Sequence, residues 1–309
     1  MWHVFPVPTV FEIPLEGPKG ERVDLVRTIM SHGVADLPPG HVDEERRAYA
    51  TTLVLPSAKP RTIQIVDGRP GFARVEVEGQ KLGARAARDL TAAVRQILNL
   101  DEDLSEFYAL VGDDPDLSWA SRGAGRMLRT PTVFEAVVKT VCTTNCAWSA
   151  TIRMVRALVE NLGERASGGS ARAFPTPEAM ASAPDSFYRG VVRAGYRSAY
   201  LRALAAGVAA GTFEIEELAD ARHDLPDEEV AARLLALPGI GPYGAAHMMM
   251  LLGRHSRLIL DSWTRPKYAR LTGRKATDSQ IERRFRRYGA YSGLAFWLFL
   301  TRDWIAEQP

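Results

Sequence analysis

The sequence predicts an α+β protein in which an N-terminal antiparallel sheet with helices precedes an all-helical unit. Two observations carry this reading. In the first third, apolar residues alternate with polar ones at the strand period of two, and from Thr130 onward they recur near the helical period of 3.6. Between the two regimes, residues 112–125 form an acidic stretch containing Pro and Gly. The expected division is an α+β unit over 1–110, a linker over 111–128 and an all-helical unit over 129–309.

Taken in order, Phe11, Ile13 and Leu15 alternate with Glu12, Pro14 and Glu16, and Ala73, Val75 and Val77 alternate with Arg74, Glu76 and Glu78. Each run has one face to bury, as antiparallel strands do. Turn signals at Asp67-Gly68 and Arg69-Pro70-Gly71 separate Ile63 and Ile65 from the second run and predict a hairpin or short loop. Helices over 24–31 and 84–98 cover one face of the sheet. Thr130-Pro131 sets a capping hydroxyl before a proline at the first helical position, and Thr132 with Glu135 offers a capping box. These lead into the buried positions Val133, Phe134, Val137, Val138 and Val141. Further helices are expected over 147–162, 176–183, 185–194, 197–209, 227–236, 242–253, 278–288 and 291–305. No strand alternation recurs after Thr130, and the chain shows no internal repeat.

The 309 residues are 46% hydrophobic and 25% charged, which sets disorder, collagen and coiled coil aside. Apolar runs such as Phe296 to Leu300 fall far short of the ~18 residues a membrane span needs, and the N-terminus is Pro-interrupted with no basic leader. A monomer in the cytoplasm, with no membrane contact, is expected. Cys142 and Cys146 stand four apart on one helix, so neither a disulfide framework nor a four-cysteine iron–sulfur cluster can be assembled. Their simplest role is as buried apolar fillers.

Net charge is +2 but unevenly spread: residues 1–128 hold 15 basic and 19 acidic side chains, so the excess lies beyond them. Between Ser262 and Ala290, nine bases (Arg265, Lys267, Arg270, Arg274, Lys275, Arg283, Arg284, Arg286, Arg287) face Asp278 and Glu282. Such a tract is either a footprint for a phosphate backbone or a solvated helix face.

The most informative stretch is 227–270. Asp227 can cap a helix with Val230, Leu234 and Leu235 on its apolar side. That helix ends at Leu237-Pro238-Gly239-Ile240-Gly241, and a second starts at Pro242. Glycines in such a hairpin let the backbone turn tightly and approach a ligand, while the second helix presents unpaired N–H groups and a positive dipole end. The arrangement suits a phosphate. The carbonyls of Leu235, Leu237 and Ile240 can together hold a monovalent cation, Na+ or K+.

Leu237 to Gly241, followed by a helix, the apolar run Leu258-Ile259-Leu260 and Asp261, resembles the helix-hairpin-helix DNA glycosylase superfamily, both its 3-methyladenine and its 8-oxoguanine branches. In that superfamily the hairpin grips DNA and an aspartate about twenty residues after the second hairpin glycine is catalytic; Asp261 stands at that offset. Val141-Cys142-Thr143-Thr144-Asn145 is similar to the intercalating segment of the 8-oxoguanine branch. Gly195-Tyr196-Arg197 is similar to its wedge tyrosine and the arginine that reads the orphaned base. The N-terminal unit fits the family's accessory domain, which resembles the TATA-binding-protein fold. Each residue also has a plain structural role: Asp261 as a cap for the following turn, Asn145 as a left-handed helix end, Tyr196 and Arg197 as surface residues.

The resemblance implies double-stranded DNA with damaged bases as partner, with Leu237, Gly239, Ile240, Gly241, Asn145, Tyr196, Arg197, Arg265 and Lys267 contacting it. Localisation with the nucleoid follows if the source is prokaryotic. Extruding a base costs a few kcal/mol, offset by wedge residues that fill the gap. Asp261 then stabilises the positive charge that develops on the sugar and orients the attacking water. Bifunctional members carry a lysine two residues after the second hairpin glycine, where this chain has Tyr243. A phenol of pKa ~10 forms no Schiff base. An aromatic residue at that place is similar to the 3-methyladenine branch. Tyr243, His247 one turn on, and Trp263 are therefore expected to line a base pocket; Tyr288 and Tyr291 either join them or pack in the core. The leading expectation is a monofunctional glycosylase of base excision repair acting on alkylated purines, with no cofactor beyond the hairpin cation. The alternatives are an 8-oxoguanine glycosylase whose lyase amine lies elsewhere, such as Lys267, and a non-catalytic DNA-binding protein.

Overall fold

The computed structural model describes residues 9–219 and 225–305. Five strands, β1 (Thr9–Pro14), β2 (His41–Asp43), β3 (Ala48–Leu55), β4 (Ala58–Asp67) and β5 (Phe72–Val77), form one antiparallel sheet in the order β1-β5-β4-β3-β2. Ile63 pairs with Val77 and Ile65 with Val75, which puts the four side chains on one face. Helix α1 (Leu25–Ile29) precedes β2, and α2 (Ala84–Ile97) lies on the buried sheet face through Leu90, Val94 and Ile97. The β4–β5 turn closes where the sequence places it: Gly68 N–H donates to the Phe72 carbonyl at 3.0 Å, and Gly71 takes φ +81°.

The second layer is helical: α3 (Ser105–Val111), α4 (Val133–Thr143), α5 (Trp148–Leu162), α6 (Pro177–Ala181), α7 (Arg197–Ala209), α8 (Asp227–Leu235), α9 (Pro242–Leu251), α10 (Thr264–Thr272), α11 (Asp278–Phe285) and α12 (Ser292–Thr301). Helix α12 is buried on every side, as its unbroken apolar run requires, and forms the centre of the larger core. The expected helix over 185–194 is a single π-helical turn, Phe187–Val191.

Several local expectations are corrected. The cap of α4 is Thr132, whose hydroxyl accepts from Glu135 N–H at 3.1 Å, so Pro131 lies outside the helix. Glu135 turns to Lys139 instead of closing a capping box, and the carboxylate of Glu216 accepts the free N–H groups of Val133 and Phe134, both at 2.9 Å. Asp227 is the first residue of α8 and not its cap; its carboxylate binds Arg254 and Ser256.

The stretch 111–128 is packed structure: Leu117, Ala120 and Arg126 are fully buried, and α3 belongs to the helical core together with Val34 and Leu37 of the N-terminal unit. A buried polar network joins the two units. The Arg126 guanidinium donates to the Asn99 carbonyl at 2.8 Å and to Glu21 at 2.7 Å, and Glu102 holds His255. Burial works against the Glu102 carboxylate, but His255, Arg129 and Arg126 outweigh it and hold its pKa below the ordinary value. No helix among the described residues is long and apolar enough to cross a membrane.

Candidate active site

The hairpin between α8 and α9 is anchored from below, with Leu237 and Ile240 buried in the core and the Ile240 N–H bonded to the Leu237 carbonyl at 3.2 Å. One of the three carbonyls expected to hold a cation is thus engaged within the turn, although an oxygen keeps a second lone pair. Glycine at 239 is set by φ +84°, and a Cβ there would also press within 3.1 Å of the Tyr200 side chain. Gly241 has extended backbone, and a Cβ there would meet nothing. The fold does not demand glycine at 241; close approach of a ligand would. Pro242 opens α9 as its first residue, as expected, with Gly241 as cap.

A cleft of about 770 Å³ lies over this hairpin, lined by residues 143–146, Tyr196, Tyr200, Gly239 through Gly244, and Leu260, Asp261 and Ser262. It gathers stretches more than a hundred residues apart in sequence. Asp261 is at its wall. One carboxylate oxygen, Oδ1, accepts the backbone N–H groups of Trp263 (2.8 Å) and Thr264 (2.7 Å), and the Asp261 N–H donates to Thr264 Oγ1 (2.8 Å). The residue therefore caps the turn into α10, and that reciprocal bonding fixes its carboxylate in place. Oδ2 has no hydrogen-bond partner among the described residues. Tyr243 lies close enough to feel the charge: burial first and Asp261 second raise its pKa, so the phenol stays neutral.

Asn145 follows the end of α4 in the left-handed region (φ 45°) and is exposed in the cleft. Tyr196 stands opposite, 55% exposed, with its ring edge against Tyr200 at 6.1 Å. Arg197 does not line the cleft itself but lies against it, its guanidinium over the Tyr196 ring at 4.4 Å. It is 6% exposed, with its guanidinium donating to the Thr144 carbonyl and, at 3.2 Å, to Thr144 Oγ1. The arginine expected to read an orphaned base thus braces the Asn145 loop from behind. Sequence reasoning missed Tyr200, although it stands one helical turn from Tyr196 and so shares its face.

Of the expected pocket aromatics, Tyr243 lines the cleft and His247 stacks behind it (6.1 Å, 17°). His247 in turn meets His32, carried by the N-terminal unit, edge to face at 6.0 Å. Trp263 faces away from the cleft and packs with Trp297 (5.6 Å) and Trp304 (5.7 Å), two tryptophans the sequence did not single out. Tyr288 and Tyr291 take the core role: Tyr288 bonds Asp114 and Tyr291 packs on Phe107 and His255.

Four of the nine bases of the tract are paired, while Arg270, Arg274, Lys275, Arg283 and Arg286 are exposed. Lys267 is buried with Nζ on both oxygens of Asp303 (2.7 and 2.6 Å), and Arg265 grips Asp278 through two nitrogens (2.8 and 2.9 Å). Arg284 and Arg287 bind Asp116 and Asp114 of the stretch before α4. Neither Arg265 nor Lys267 lines the cleft, and none of the residues that do is a lysine. No group of three or more His, Cys, Asp or Glu suited to a metal occurs among the described residues.

Burial pushes His32 down to about 4 and His247 to about 3, so both are neutral imidazoles when folded. Above pH ~6.5 this has no effect on stability, because the unfolded imidazoles are neutral as well. As the pH falls below 6.5 the unfolded chain takes up protons that the folded one refuses. Stability should then decline by roughly 2–3 kcal/mol per group down to pH ~4.5. Urea midpoints at these two pH values should differ less for His247→Phe than for the wild type; an equal difference would remove the pair as the cause.

No protein-family model matches the chain, and no curated protein resembles it in sequence. Solved structures do. A 3-methyladenine DNA glycosylase from Archaeoglobus fulgidus superposes with a TM-score of 0.71 at 20% identity, over 96% of this chain and 99% of that one. The 8-oxoguanine glycosylase/lyase of Clostridium acetobutylicum matches in its apo form with a TM-score of 0.70 at 18% identity, over 96% and 99% of the two chains. The same protein in complex with double-stranded DNA bearing cytosine opposite 8-oxoguanine matches at 0.69 and 18%, over 97% and 98%. The chain thus has the α+β fold of these glycosylases over 96–97% of its length, sheet unit included.

Proposed function

We propose that the protein is a monofunctional DNA glycosylase that extrudes a damaged purine, an alkylated one foremost, and hydrolyses its N-glycosidic bond. The observation that carries this is the pairing, in one cleft, of a fixed carboxylate with a phenol at the lysine position and no amine among the described lining residues. The fold, shared with enzymes of this activity, supports it. The N–H groups at the start of α9 would take a DNA phosphate, and Asn145, Tyr196 and Tyr200 would occupy the space left by the extruded base. Loss of the base leaves positive charge on the sugar; Asp261, with Oδ1 held by two N–H groups, presents Oδ2 to that charge and to an attacking water. The monovalent cation belongs to this reading too, at the hairpin carbonyls, where it would bridge to the same phosphate.

Incubation with duplexes that each carry one damaged base tests the proposal. Alkali-labile abasic sites should form, fastest with alkylated purines. A protein that binds these duplexes and releases no base would instead be a DNA-binding protein without glycosylase activity.

The hairpin gives a separate expectation. Gly241→Ala should fold like the wild type, since its Cβ has open space, yet bind duplex DNA about 10–100-fold more weakly through a displaced hydrogen bond to a charged phosphate. Gly239→Ala should lose about 1–3 kcal/mol of stability as well, because φ is positive there. Anisotropy titrations and thermal melts separate the two, and unchanged affinity in Gly241→Ala would take the hairpin out of the interface.

A further inference from the structure

The N-terminal unit carries a cavity that shares no lining residue with the cleft over the hairpin. It measures about 460 Å³ and lies where the turn between β3 and β4 meets the start of α2, lined by residues 56–58, Arg61 of β4 and residues 81–86. Helix α2 runs for 14 residues behind its cap, Gly83. A glycine offers no side-chain oxygen, so the N–H groups of Ala84, Arg85 and Ala86 find no acceptor among the described residues. The backbone at 83 (φ −68°) suits any residue, and a Cβ there would meet nothing. Close approach of a ligand is what glycine serves at this position.

Three cationic side chains, Arg61, Lys81 and Arg85, line the cavity at this positive helix end. Arg61 is 7% exposed; one terminal nitrogen donates to the carbonyls of Lys59 (3.0 Å) and Pro60 (3.3 Å), and its Nε has no partner. Lys81 and Arg85 are exposed and make no ion pair among the described residues. No acidic residue lines the cavity; the acid tied to it is Asp89, in the second turn of α2, which accepts the Ser57 hydroxyl. A basic residue in the first turn of a helix opposes the dipole, and a buried guanidinium nitrogen without an acceptor is costly as well. One anion seated on the free N–H groups would offset the first and give the Arg61 guanidinium an acceptor. A carboxylate would compensate only one of the three cations, whereas a phosphate monoester brings a charge of roughly −1.5 to −2 and three acceptor oxygens. We infer that the cavity is a phosphate site, in which the first N–H groups of α2 with Arg61, Lys81 and Arg85 hold a phosphate group, free, on a nucleotide or in a DNA backbone. It uses none of the cleft residues and stands apart from the glycosylase reading.

The test titrates inorganic phosphate into the full chain, against sodium chloride of equal ionic strength, and reads the backbone amide resonances of residues 83–86 together with the melting temperature. Phosphate should shift those amides saturably and raise the melting temperature. Arg85→Gln, a change at an exposed side chain, should weaken this binding about tenfold or more. Gly83→Asp sets a carboxylate on the same N–H groups, so it should melt at or above the wild type in chloride and no longer respond to phosphate. If Gly83→Asp does not fold, Arg85→Gln and Lys81→Gln carry the test. Deoxyadenosine monophosphate and an undamaged duplex then identify the source. A duplex that shifts residues 83–86 and binds Arg85→Gln more weakly assigns the site to a DNA backbone; a duplex that leaves those amides in place, where phosphate or the nucleotide moves them, assigns it to the small ligand. Amides that none of the three probes moves, or that move as far in Arg85→Gln and Gly83→Asp as in the wild type, would overturn the inference.

Discussion

Asp261→Asn should lower single-turnover base release by about 10²–10³-fold, the scale on which removal of one transition-state electrostatic group acts, while the protein folds as before. The two halves of this expectation come from the two oxygens. The amide oxygen of Asn can still accept the Trp263 and Thr264 N–H groups that Oδ1 accepts now, and Asn caps helices about as well as Asp. What the variant loses is the negative charge that Oδ2 would present to the sugar. Asp261→Ala removes the cap as well and should cost a further ~0.5–2 kcal/mol of stability. Urea melts and excision time courses on the same preparations separate the effects, and full excision by the Asn variant would sink the assignment.

The elements that declared themselves in the sequence are those whose pattern is local. Ile63/Ile65 and Ala73/Val75/Val77 alternate because one sheet face is buried against α2, and Gly241-Pro242 marks the start of α9 because a proline tolerates the first helical position. Helix α10 did not declare itself. Its residues Arg265, Lys267 and Arg270 offer no apolar stripe, and beyond the local Asp261 bond to the Thr264 N–H what holds it is tertiary: buried Tyr268, Asp278 on Arg265 and Asp303 on Lys267. A charge count likewise cannot show which carboxylates fold back on the basic tract, as Asp303, Asp278, Asp116 and Asp114 do on four of its members.

The site divides in the same way. The spacing of Asp261 from the hairpin was legible because one stretch of chain carries both. The orientation of Arg197 was legible in principle: it falls in phase with Leu201 and Leu204 on the buried side of α7, which leaves Tyr196 and Tyr200 on the open side. The meeting of His32 with His247 was not legible, because the two stand 215 positions apart and nothing local marks either one. Trp297 and Trp304 escaped for a related reason: in an apolar helix and just beyond it they read as core, and only the packed chain sets them beside Trp263.

Base release without strand cleavage is the second large effect expected. Tyr243 lines the cleft at the lysine position, burial and the Asp261 charge keep its phenol protonated, and Lys267, away from the cleft lining, is buried on Asp303. Among the described residues, none that lines the cleft carries an amine to form a Schiff base with the sugar. The product should therefore be an intact strand with an abasic site that breaks only after alkali or heat, and borohydride should trap no covalent adduct. A direction of substrate preference follows as well. Alkylated purines carry positive charge, and an aromatic face attracts a cation by ~0.5–2 kcal/mol, or about 2–30-fold in rate if the contact is retained in the transition state. Neutral 8-oxoguanine gains little from such a face. Tyr243→Ala should accordingly narrow the gap between alkylated purines and 8-oxoguanine by slowing the former. Strand cleavage with a trapped adduct, or faster release of 8-oxoguanine, would mean that an amine reaches the sugar after all. In that case Lys267→Ala would test the one amine of α10 as the source of the adduct.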